Sequence, residues 1–486
     1  MCAIGATYAK QDWKSVAIYM NELARRAGKH LRDRDSRAVF SKQYMQARLL
    51  QAVAGLAIGS RDLYLESEMT RSILAAAARR ANLLRSLKAQ EHTSLDDSSR
   101  VQFEGRQARD THSNSGQEGA QHSVQEETED QLEARWYRWL EEEEKRRLGW
   151  GIYIVDSQGA SILHVPSSFA LDEIHAALPS TKELWIAPTA AAWDAAVRRA
   201  HRSEPASTEP QPFDRVLRDA LQEGLLPRTV SDFGKNIIAH TLHRICNEAS
   251  ALNKLLLRDA SARSDDLRKG SFSPNLKQDP YALLERLATS WHDSVEYPSY
   301  FLITNDALRH HAYLKLVHPH FLDQVKYAAG QWESNTSKSS ARLWLKEWIT
   351  ENPDSSRGVV AHSAQMAALM TRFAQDTCWE PVCILDCCLT LWAVFKFGNA
   401  YALGLSVNEE SYLDVCKPLI RWCDPPSRVE EWVKKGGPAT FQGMSWELTP
   451  RNILTDFMSK LGAMPWSVSK IYSSVLARLL AEEDST

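Results

Sequence analysis

Apolar residues recur at every third and fourth position along most of the chain, and the period-2 alternation of a half-buried strand is nearly absent. Over Gln11–Leu31 the stripe is Trp13, Val16, Met20, Leu23, Ala27 and Leu31, with Gly28 near its end. A second helix is expected over Gln43–Ile58 on Met45, Leu49, Val53 and Leu56, stopped by Gly59-Ser60. A third runs over Tyr64–Leu87 on Met69, Ile73, Ala77 and Leu84. Short connections make these three antiparallel neighbours. Further on, Thr189 can cap a helix carrying Trp193, and Ser231 can cap one carrying Phe233, Ile237, Leu242 and Ile245. The same spacing predicts helices over Asp279–Leu287, Asp323–Gly330, Ala341–Thr350, Ser363–Ala374, Val382–Lys396, Glu409–Trp422 and Val468–Glu482. The pattern specifies an all-α fold, and no internal repeat marks a solenoid.

Residues 89–132 break the pattern. They are dominated by Gln, Glu, Asp, Ser, His and Thr, with Leu95, Val101, Phe103, Val124 and Leu132 as the bulky apolar exceptions. Such a segment buries too little surface to offset its ordering entropy, so a disordered acidic linker or insertion is expected there. An acidic activation segment would intersperse more hydrophobics, which favours a solvated insertion. The chain then divides into an N-terminal helical part (1–88), the insertion (89–132) and a main helical part (133–486). Order is expected to resume at Trp136, with a turn after Asp156.

At 44% hydrophobic residues the chain can build a sizeable core, and the 16 tryptophans are read as core aromatics. A net charge of -3 argues against general affinity for nucleic acid or an anionic membrane. The eight cysteines include no C-x2-C pair, and the N-terminus lacks a basic start followed by an apolar core. Zinc-finger and zinc-cluster spacings are therefore not drawn, and Cys378–Cys388 are expected as reduced, buried cysteines on a helix. The most apolar stretch, Val382–Phe395, is interrupted by Asp386 and too short to span a bilayer.

The densest chemistry lies in Trp136–Asp156, WYRWLEEEEKRRLGWGIYIVD. At helical spacing Trp139, Glu143, Arg147, Trp150 and Ile154 share one face. Glu142 with Arg146 and Glu143 with Arg147 have the favourable Glu-before-Arg order at i,i+4. Consecutive carboxylates point around a helix rather than at one substrate, so Glu141–Glu144 read as structural and not as an acid/base pair. Arg147→Ala is expected to destabilise the fold rather than abolish a discrete activity. Histidines gather at His310, His311, His318 and His320, downstream of Asp306. A metal site is conceivable there, but Pro319 breaks the helix between the last pair, and satisfied structural histidines are the favoured reading. No phosphate loop, Gly-x-Ser-x-Gly or His-Glu-x-x-His occurs. The basic clusters Arg25-Arg26 and Arg79-Arg80 belong to amphipathic helices and do not form a DNA-reading module.

The block Trp136, Trp139, Glu143, Arg146, Arg147, Leu148, Trp150 and Asp156 resembles the regulatory, middle homology domain of fungal-specific transcription factors. Trp185 in ELW and Trp193 in AAW are similar to the block that follows it in the zinc-finger branch. QARLLQAVAGLAIGSRDL, ARRANLL, FGKNIIAHTLHRICN and LTLWAVFKFG also resemble family segments. Members of the family carry a zinc-bound DNA-binding module ahead of this domain. MCAIGATYAK instead resembles an internal helix of the domain, so the chain is expected to be a stand-alone regulatory domain or one with a truncated start. The resemblance implies a nuclear regulator of RNA polymerase II transcription, controlled by ligand or partner contacts and not an enzyme. It implies no cofactor in this chain, zinc belonging to the absent module. Expected partners are the transcription machinery or other regulators, DNA only through such a module, and a second copy as a possible homodimer, with no membrane. An interaction-only corepressor or decoy is the alternative, and a helical metal-dependent enzyme is the less favoured one. Nine motif residues, Trp136, Trp139, Glu143, Arg146, Arg147, Trp150, Asp156, Trp185 and Trp193, are expected to be structural.

Overall fold

The computed structural model describes residues 2–8, 14–85, 128–163, 165–203, 211–224, 226–257, 279–289, 299–330, 335–398, 413–414, 426–437, 439–440 and 449–485. They are helical throughout, apart from loops and one very short strand pair. The N-terminal helices are α1 (Cys2–Tyr8), α2 (Lys14–Arg34), α3 (Lys42–Ala57) and α4 (Arg61–Arg80). Ser41 starts α3 by accepting from the Tyr44 amide, and the left-handed φ of +76° at Gly59 turns the chain into α4. Gly55 lets the two helices close: a Cβ there would meet the Leu63 carbonyl at 2.7 Å.

Helix α5 (Glu129–Ser161) is the longest described element at 33 residues. It opens on a reciprocal capping box between Thr128 and Gln131. Order thus begins before Trp136, and the turn expected after Asp156 is replaced by another turn of helix and more. Residues 128–132 of the expected insertion belong to this helix and its cap, while 89–127 lie outside the described residues. The sequence signal was Thr128-x-x-Gln131, a capping box ahead of the aromatic run. α5 packs on α3 and α4 along one side. Gly149 admits the Leu83 backbone so closely that a Cβ would sit 2.9 Å from its carbonyl oxygen.

The next helices are α6 (Lys182–Trp185), α7 (Ala190–Ser203), α8 (Phe213–Glu223), α9 (Asp232–Leu257), α10 (Pro280–Thr289) and α11 (Tyr300–Leu316). Then come α12 (Phe321–Ala328), α13 (Asn335–Glu351), α14 (Pro353–Arg372) and α15 (Glu380–Phe397). The last are α16 (Pro426–Lys435), α17 (Pro450–Ala463) and α18 (Ser467–Ser485). One continuous core joins Trp150 and Tyr153 of α5 to α9, α11, α14 and α15, where Trp392 is fully buried. Cys383, Cys387 and Cys388 lie inside this core on α15 as free thiols, and burial pushes all three thiol pKa values well up. No described helix is long and apolar enough to cross a membrane.

The helix expected over Glu409–Trp422 is not formed at Leu413–Asp414. These two residues pair in parallel with Ala439–Thr440. Long-range backbone pairing overrides the local period here, and Pro418 would in any case break a helix through the segment. The rest of that range lies outside the described residues.

Candidate functional site

The aromatic and charged motif of α5 folds into a set of joints between that helix and the chain from 165 to 194. Glu143 is fully buried. It accepts from Arg147 Nε at 2.8 Å, from Arg146, from the Ser180 amide at 3.0 Å and from Ser180 Oγ at 3.1 Å. Arg147 also donates to the Ser180 carbonyl at 2.9 Å, and its guanidinium lies over the rings of Trp185 and Phe233. Burial lowers the Arg147 pKa from its ordinary value, opposed by the charge of Glu143. Arg146 pairs with Glu143 at i,i+3, whereas the sequence suggested Glu142, which is exposed. Glu144 reaches across to Lys42 of α3.

The remaining motif residues occupy neighbouring joints. Trp136 and Trp139 pack on the Leu184, Trp193 and Ala196 cluster, with Trp139 and Trp193 ring centroids 5.4 Å apart. Trp150 is buried and donates Nε1 to the Ala177 carbonyl at 2.9 Å. Asp156, also fully buried, accepts the Ser168 and Phe169 amides and the Ser167 hydroxyl. The Arg71 guanidinium stands 3.6 Å from the same carboxylate. The side chain thereby pins the loop after α5 to α4. Four joints emerge from the nine residues, and none presents a free pair of carboxylates.

A second polar constellation lies deep between α9, α11, α14 and α15. His243 Nε2 and His311 Nδ1 are 3.0 Å apart, and His311 Nε2 is 3.3 Å from Asp386 Oδ2. Lys326 Nζ is 3.0 Å from the other oxygen of Asp386. His310 Nδ1 approaches His362 Nδ1 at 3.0 Å, with Arg309 and Asp306 behind it. The Tyr313 ring stacks on His362. The four histidines singled out in the sequence are therefore separated. His310 and His311 face different partners inside the protein, while His318 and His320 sit at the α11–α12 junction, with His318 against Trp344. Sequence reasoning missed His243, His362, Lys315 and Lys326, whose partners are tens of residues away. The one local signal was Asp386, an acid in the most apolar helix. Among the described residues, no three His, Cys, Asp or Glu side chains are grouped to hold a metal ion.

Burial sets the protonation of this constellation. It holds His240 down at about 3 and His311 at about 4, the latter against the opposing pull of Asp386. Burial, followed by neighbouring positive charge, holds His243 well below its ordinary value. Burial and then the charge of His320 take His318 to about 4. Burial pushes the Asp386 carboxyl up, but Lys326 and His311 together hold it below the usual carboxylate range. Lys315, buried beside Lys326, drops to about 7.

These shifts fix the sign of an acid response. Each depressed histidine is neutral in the fold, while the unfolded chain takes up a proton near its ordinary value of 6.5. Between about pH 4 and 6.5 the unfolded state binds more protons, so stability falls as pH drops through that window. Glu380, pushed up to about 7 by burial, acts oppositely, losing stability as pH rises toward 7. The several histidines outweigh it. The urea unfolding midpoint is expected to fall between pH 6.5 and pH 4, and a flat or rising midpoint would contradict the assignment.

No curated protein and no solved structure matches this chain. A family model, the fungal specific transcription factor domain, matches residues 1–226. The match contains all nine motif residues. The family-like segments Phe233–Asn247 and Leu389–Gly398 lie beyond it.

Proposed function

From the premise that residues 1–226 are a fungal specific transcription factor domain, we propose that this protein regulates RNA polymerase II transcription in the nucleus. The family match is the observation that carries the reading. Its helical body acts as a regulatory domain whose output is set by ligand or partner contacts, and it contributes no chemical step. Two features support this role. The α5 motif is absorbed in hydrogen bonds, ion pairs and aromatic packing, and burial holds His240, His243, His311 and His362 neutral. Its partners are the transcription machinery or other regulators, with a second copy of the chain as a further possible partner. It carries no zinc of its own in this reading, and DNA is a partner only where a zinc-bound module accompanies the domain.

The test is to fuse the full chain to a heterologous DNA-binding module and place its operator upstream of a reporter in a fungal cell. Reporter output is expected to change severalfold relative to the module alone. Unchanged output from a fusion that is folded and nuclear would sink the regulatory reading. A gel-shift experiment with the unfused chain at low salt addresses the DNA statement, because phosphate contacts are strongest there. Sequence-specific binding would show that the chain reads DNA without a separate module.

A further inference from the structure

A cleft of about 370 Å³ opens between the end of α5, residues 165–167, α9 and the α11–α12 junction. That volume falls within the ~300–1,000 Å³ range typical of small-molecule sites. Its charged lining residues are mostly neutralised inside the protein. Lys254 donates to Asp323 at 2.7 Å, and Glu248 accepts from Arg244 at 2.7 Å. Lys315 is different. Its side chain is buried, and its ammonium donates to two neutral acceptors, the Ser161 carbonyl at 2.5 Å and Asn247 Oδ1 at 2.8 Å. An ammonium has three N–H donors, so one remains for a further partner. The buried carboxylate whose charge acts on it, Asp386, makes its contacts to Lys326 and His311 instead.

A buried cation with no carboxylate in contact is costly, and burial followed by the charge of Lys326 takes the Lys315 pKa down to about 7 against the weaker pull of Asp386. An anion in the cleft would remove that cost. The rest of the lining limits which anion. Val165, Pro166, Ala251 and Leu322 present apolar surface. Lys254 is taken up by Asp323, and Arg244 by Glu248, so the lining offers no second cation for a second negative charge. One uncompensated cation and apolar walls fit a single negative charge on an apolar body.

The geometry points to this cleft as the binding site for a small monocarboxylate, whose carboxylate pairs with the Lys315 ammonium while its hydrocarbon part lies against Ala251 and Leu322. As a regulatory device this rests on the reading above, that ligand contacts control the domain. As a binding site it does not.

Hexanoate is a suitable probe, compared with hexanamide, which lacks the charge, and inorganic phosphate, which lacks the apolar body. Thermal unfolding of the full chain is expected to shift upward saturably with hexanoate and not with the other two. In Lys315→Met the shift is lost. In Ala251→Phe, which keeps the lysine but fills the apolar side from an exposed position, apparent affinity falls at least tenfold. The second variant keeps the test decisive if loss of the ammonium disturbs folding. No saturable shift with hexanoate, an equal shift with phosphate, or an unchanged response in Ala251→Phe would each overturn the proposal. Hexanoate binding that leaves reporter output unchanged would instead count against ligand control and leave the site standing.

Discussion

Replacing Glu143 with alanine is expected to destabilise the fold by about 3–5 kcal/mol, the range for breaking a buried ion pair from one side. The carboxylate is fully buried and receives Arg146, Arg147, the Ser180 amide and the Ser180 hydroxyl. Without it, the Ser180 amide loses its acceptor and Arg147 keeps its charge between Trp185 and Phe233 with no counter-ion. Glu143→Gln retains an acceptor for one or two of these donors and should cost less. Arg147→Ala should also destabilise, leaving Glu143 charged and buried beside Arg146. Urea unfolding of the three variants checks the order. A Glu143→Ala midpoint equal to wild type, with regulatory output lost, would mean that the brace performs a discrete function after all.

Asp386→Ala is expected to cost a similar amount, about 3–5 kcal/mol. The buried Asp386 carboxylate touches His311 on one oxygen and Lys326 on the other. Removing it leaves the Lys326 ammonium without its carboxylate partner. It also removes the charge and hydrogen bond that hold the His311 pKa up against burial. The loss therefore has a second signature: His311 should titrate still lower than about 4 in the variant, read from its imidazole proton resonances. An Asp386→Ala protein as stable as wild type would show that the network is dispensable, and an unmoved His311 would show that the pair is not formed.

The all-α class was legible because nearly every helix carries its own period. The α5 brace was half legible for the same reason: Glu143 and Arg147 lie four residues apart, and the helix brings them together. Its other half, Ser180, lies 37 residues away and carries no local mark. The interior network was least legible. His310 and His311 are adjacent in the chain and so seemed to belong to one site, but consecutive helical residues point in different directions. One faces α14 and the other α9 and α15. Lys315 carries no local mark in the sequence, and its environment depends on α5 and α9 closing over it. The Glu409–Trp422 helix failed for the converse reason, since spacing alone cannot register a distant strand partner or weigh Pro418.

The 33 residues of α5 give a rod about 50 Å long at 1.5 Å per residue. Near its beginning Trp136 and Trp139 grip the Trp193 helix, and at its end the Ser161 carbonyl holds the ammonium of Lys315. One continuous helix thus ties the packing of the Trp193 helix to the wall of the cleft, so the two places share a single backbone element.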